Sequence, residues 1–255
     1  MTWLGVWLVG VGLADLVRSG DRPRSEALAR LVGVAGVVVT ATLAGLVAPV
    51  DGVALLGALV ALVAWLRYSQ QALTTGTGHV AALSWLAGGA VWLLALSGWA
   101  GPADGVLADW LGWADLPAVV AGAEPARVLL VLGLVLVNLS TGNVLVRLVL
   151  VAIKAVPPSD AAPLPAGPQA DEQLRGGRLL GPMERVLILG LGLAGQLGAA
   201  GLVIAAKGLI RFPGLQSKRG ETTVEGVGID AVTEYFLVGS FISWLVALGS
   251  LVLAA

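Results

Sequence analysis

The sequence predicts an all-α, polytopic integral membrane protein of about seven transmembrane helices. Three observations carry that expectation. The chain is 57% hydrophobic and 12% charged, with a mean hydropathy of +0.91. It contains repeated apolar runs near the length of a membrane span. Its lysines and arginines are gathered in a few loops. An ordinary soluble domain has about a quarter of its residues charged; a chain of this length with so few charges needs lipid as its solvent. Long apolar runs without alternation are helices, because lipid offers the backbone no other partner.

Seven runs qualify, at roughly 2–17, 28–48, 50–66, 79–99, 126–153, 182–206 and 231–254. The first lacks a basic leader and a small-residue cleavage site, and reads as a retained span rather than a signal peptide. Pro49, Val50 and Asp51 alone separate the second and third, which form a tight helical hairpin. Residues 100–125 carry Asp104, Asp109, Asp115 and Glu124 together with Trp110 and Trp113, the pattern of a short helix on the outer surface. Residues 156–180 hold Pro157, Pro158, Pro163, Pro165 and Pro168, a disordered cytoplasmic linker. The chain thus divides into a five-span part (1–155), the linker (156–180) and a two-span module (181–255).

Cations orient the spans. Arg18, Arg22, Arg24, Arg30, Arg67, Arg147, Lys154, Arg175, Arg178 and Arg185 fall on one side if all seven runs span, which makes that side cytoplasmic and the N-terminus external. Lys207, Arg211, Lys218 and Arg219 break the pattern, as does Arg127. Either residues 182–206 span and keep those cations outside, or the run is a re-entrant hairpin bent at its glycines (Gly190, Gly192, Gly195, Gly198, Gly201). Spanning is the favoured expectation, since Glu184 to Lys207 is about 35 Å of helix, close to the bilayer thickness.

Composition also bounds the chemistry. A net charge of −1 supplies no basic field for nucleic acid. The absence of cysteine removes disulfides, iron–sulfur clusters and thiol catalysis. With one histidine, His79, and no cluster of ligating residues, no metal site or cofactor is expected. The polar residues placed inside apolar runs remain. Arg185, Gln196 and Lys207 are spaced by 11 and 11, which returns a helix nearly to the same direction, and Arg211 joins them four residues on. That stripe is either helix–helix glue with snorkelling ends, or the lining of a site. Glu234 and Tyr235 open the last run, where an antiparallel partner would meet Lys207 or Arg211. Tyr235, Gly239, Ser243 and Ala247 continue at four-residue spacing as a packing seam. Asn138, Ser140, Thr141, Gly142 and Asn143 place a polar break in the fifth run, as in discontinuous helices that bind ligands, although each group could bond within its own bundle. Asp15 and Arg18 read as a local interfacial pair.

The segment GRLLGPMERVLILGLGLAGQLGAAGLVIAAKGLIRF followed by EYFLVGSFISW resembles the C-terminal signature of an uncharacterised bacterial inner-membrane family, a domain of unknown function sometimes encoded beside SatD-type proteins. The likeness lies in Gly181, Glu184, Arg185, Lys207, Arg211, Phe212, Glu234, Tyr235, Phe236, Leu237, Gly239 and Ser243. It implies a bacterial inner membrane and no particular reaction. The resulting expectation is a transporter or translocase of a small anion or anionic lipid phosphate. Its ligand-binding residues would be Arg185, Gln196, Lys207, Arg211, Glu234, Tyr235, Asn138 and Asn143. A scaffold or regulator of a partner membrane protein is the second reading. A lipid-phosphate enzyme comes last, because no nucleophile–base pair is recognisable.

Overall fold

The computed structural model describes residues 1–18, 25–115, 122–158, 177–217 and 229–254. Among these, every regular element is a helix. Five helical segments are long and apolar enough to cross a membrane: Glu26–Leu43, Pro49–Thr75, His79–Trp99, Pro125–Ala152 and Leu237–Ala254. The chain packs as two compact units, Met1–Ala72 with Gly78–Thr141, and Leu73–Thr77 with Gly142–Leu253. Packing therefore divides inside the fifth apolar run.

The first unit contains α1 (Thr2–Arg18), α2 (Ser25–Leu43), most of α3 (Pro49–Thr75), α4 (His79–Leu96), α5 (Val106–Trp113) and α6 (Pro125–Leu136). Its hub is α1, in which 13 of 17 residues are buried. A helix apolar on every side belongs in a core, and α1 has no polar face to present until Asp15. Close approach rests on glycine: a Cβ on Gly5 would lie 2.7 Å from the Leu130 nitrogen, and one on Gly133 would lie 2.9 Å from the Gly5 carbonyl. Without a hydrophobic force between helices in lipid, such small-residue contacts supply the packing.

Polar bonds set the register of α1 against α3. The Trp3 indole N–H donates to Asp51 (2.8 Å), the Trp65 indole donates to Asp15 (3.1 Å), and Arg18 donates to the Leu66 carbonyl (3.1 Å) and Ser69 hydroxyl (2.8 Å). Both sequence numbers rise together, so the two helices run parallel. Asp51 also accepts the Ala48 backbone N–H at 2.9 Å, a capping arrangement at a helix that starts with Pro49.

The polar stretch in the fifth run is not a discontinuity, contrary to one of the readings above. Val137–Thr141 forms a single π-helical turn, and the helix continues as α7 (Gly142–Ala152). The extra residue of that turn is accommodated by local bonds: Asn138 donates to the Leu134 carbonyl (2.8 Å), while Ser140 lies 2.8 Å from the Leu136 carbonyl and 2.7 Å from that of Gly12.

The second unit contains α7, α8 (Gly177–Leu193), α9 (Leu197–Ser217) and α10 (Ile229–Ala254). Here the favoured expectation for 182–206 is overturned: the run is two helices joined by a turn at Ala194–Gln196. The turn has a definite cause. Gly195 adopts φ +73°, the left-handed conformation open to glycine, and Gln196 N–H donates to the Leu191 carbonyl (2.8 Å) while Gly195 N–H donates to that of Gly192 (3.0 Å). This pair of bonds is the Schellman motif that closes helices. The helices fold back as an antiparallel hairpin, packing Ile188, Ala200 and Ala247 into one buried cluster with Leu191, Val203 and Leu251 around it. Leu251 of α10 sits directly over Gly192.

Candidate anion site in the C-terminal unit

The hairpin converts sequence distance into contact. Glu184 and Lys207, which a continuous helix would hold about 35 Å apart, form a direct ion pair. The other carboxylate oxygen of Glu184 accepts the Trp244 indole N–H at 2.9 Å, and the Lys207 ammonium lies 5.9 Å from the Trp244 ring centroid. An aromatic face at that distance attracts a cation. Glu184 is 6% exposed and Lys207 21%, so the pair is screened far less than a surface pair.

Arg185 lies beside this pair and is 1% exposed. Its guanidinium donates to the Ser243 hydroxyl (3.0 Å) and to the Asn143 side-chain oxygen (2.6 Å). Gly142 keeps the space open, since a Cβ there would lie 2.6 Å from Arg185 Nε. The seam read on the last run serves this site: Ser243 bonds Arg185, Ala247 enters the buried cluster, and Gly239 faces Val146 and Leu150 of α7. Burying a guanidinium is costly unless its donors are occupied. Asn143 and Ser243 supply two of the oxygens that meet that need. Arg185, Lys207 and the Glu184 carboxylate thus lie together in an apolar surround.

Several sequence-based assignments separate here. Arg185, Lys207 and Asn143 come together, and Glu184, Ser243 and Trp244 join them. Gln196 does not: it is exposed at the hairpin tip, because the helical spacing that placed it on the stripe ends at Leu193. Asn138 belongs to the other compact unit and bonds its own helix. The side chains of Arg211, Glu234 and Tyr235, and most of the linker at 156–180, lie outside the described residues. The indole of Trp244 was missed because nothing in a strand of apolar letters distinguishes a lipid-facing tryptophan from one that donates inward. Gly195, followed by a polar residue, was the available signal for the turn.

The first unit holds a second buried charge centre. Asp15 is 0% exposed and pairs with Arg18 at 2.8 Å, with Trp65 donating to its other oxygen and Thr141 alongside. The local Asp15–Arg18 pair therefore exists, with both side chains buried within the protein near the end of α1. All its parts are engaged in joining α1 to α3, which fits an architectural role. Among the described residues no group of three or more histidines, cysteines or carboxylates could hold a metal ion. Comparison with family models, curated proteins and solved structures finds no match to this chain.

Proposed function

We propose that the chain is a multi-pass bacterial inner-membrane protein that takes an anionic headgroup, a lipid phosphate or small anion, at the Arg185–Lys207 centre and passes it across the bilayer. The observation that carries this reading is the buried Arg185 guanidinium, bonded to Asn143 and Ser243 beside the Glu184–Lys207 ion pair, which places two cations at one apolar site. A phosphate oxygen accepts from arginine with charge-assisted strength and planar complementarity. Lys207, held by Glu184 in the absence of ligand, supplies the second contact as the carboxylate turns toward Trp244.

The hairpin supports passage as well as binding. From Glu184, α8 rises about 14 Å before it breaks, which reaches the middle of the hydrocarbon core. Non-helical backbone is tolerated at that depth only against protein or a water-filled cavity. An exposed Gln196 at the tip fits a polar path. Six crossings (α1, α2, α3, α4, α6 with α7, and α10) and one re-entrant hairpin then describe the topology. All but Arg127 of the 15 lysines and arginines fall on one side, which restores the positive-inside pattern.

The test is leaflet transfer of fluorescent phosphatidylglycerol in vesicles reconstituted with the protein, read by dithionite quenching. Wild type accelerates transfer over empty vesicles, and Arg185→Gln and Lys207→Met reduce the rate at least tenfold while remaining folded by circular dichroism. Wild-type vesicles no faster than empty ones would reject the reading.

A further inference from the structure

A separate feature lies in the first unit, between α3 and α4. An open slot of about 460 Å³ is lined by Leu59, Val60, Val63, Arg67, Tyr68 and Trp85. Its two ends differ in chemistry. Val60, Val63 and Trp85 are exposed and form an apolar trough, whereas Arg67 and Tyr68 cap one end. Arg67 is exposed, Tyr68 is half-buried, and neither makes a hydrogen bond or ion pair among the described residues.

The depth of that cap follows from its neighbours. Arg18, at the last residue of α1, reaches the Leu66 carbonyl and Ser69, so the level of Arg67 on α3 is the level at which α1 ends. From Trp3 to Arg18 the helix rises about 22 Å. Arg67 therefore stands near one membrane–water boundary, with the apolar slot descending from it into the hydrocarbon. A lone guanidinium at the headgroup level above an apolar trough complements one kind of molecule: an anion carrying a hydrocarbon chain.

We propose that this slot is a binding site for one anionic phospholipid of the leaflet at the Arg18 end. Its phosphate accepts from Arg67 in the two-pronged manner of guanidinium and from the Tyr68 hydroxyl, and one acyl chain lies along Val63 and Val60 against the Trp85 ring. The site is distinct from the Arg185 centre in residues and in compact unit.

Native mass spectrometry of the detergent-purified full chain tests this, with phosphatidylglycerol and phosphatidylcholine as probes. In an Arg185→Gln background, which removes the other proposed anion site, one phosphatidylglycerol adduct is expected, at least tenfold tighter than phosphatidylcholine. Arg67→Gln should weaken it at least tenfold, more than the roughly fivefold that attraction of one surface cation to an anionic leaflet provides. Arg30→Gln, an exposed cation already paired with Glu26, should change it less than twofold. Val63→Trp, which fills the trough and leaves Arg67 in place, should remove it too. Equal binding of the two lipids, equal effects of the two arginine substitutions, or an adduct indifferent to Val63→Trp each overturns the proposal.

Discussion

Asp15 shows what a single carboxylate contributes when it is fully buried. It engages Arg18 and Trp65, linking α1 to α3. Removing one member of a buried pair leaves the other charge uncompensated, a loss of about 3 kcal/mol or more. Asp15→Asn should thus lower the detergent melting temperature markedly, and the double variant Asp15→Asn/Arg18→Gln should recover over half of that loss. A double variant as unstable as the sum of the singles would show that the pair is not coupled. Trp244→Phe tests the same logic in the second unit. It retains the ring beside Lys207 but removes the N–H that Glu184 accepts, leaving a buried carboxylate oxygen short of a donor, a cost of about 1–3 kcal/mol. A melting temperature equal to wild type would contradict the assigned bond.

At the scale of elements, the hairpin α8–α9 decides how the C-terminal charges meet. Its turn depends on Gly195 in the left-handed region, where an added Cβ is strained by roughly 1–2 kcal/mol. Because the chain has no cysteine, spin labels can be placed cleanly at Met183→Cys and Leu209→Cys, both exposed. A continuous helix would separate the two backbone positions by about 39 Å, whereas helices packed as a hairpin lie about 8–10 Å apart axis to axis. Pulsed electron paramagnetic resonance should report a distance under half of the extended value, and a distance near it would restore the single span. The apolar segments themselves were legible from letters alone, since five of them recur as long apolar helices. The break was not, because spacing by 11 assumes a helix that continues, and leucine, alanine and glycine read alike on either side of Gly195.

For the whole molecule, the proposed re-entrant arrangement predicts the side on which two positions lie. A reporter fused after Ser217 should give a cytoplasmic signal, and an epitope at the N-terminus should be labelled from the outside; an external Ser217 would instead support seven crossings. Composition and apolar run length by themselves determined that this is a helical protein suited to a membrane, because charge too sparse to coat a globule leaves lipid as the solvent whatever the packing. They also marked Arg185, Lys207 and Asn143 as polar groups in costly places. Only the tertiary structure decided that Glu184 meets Lys207, that Asn143 and Ser243 hold Arg185, and that Asp15 is buried against Trp65. The physical reason is one of range. Hydropathy is summed over neighbours in sequence, whereas the pairing of a buried charge depends on one turn geometry and on indole and amide groups many residues away.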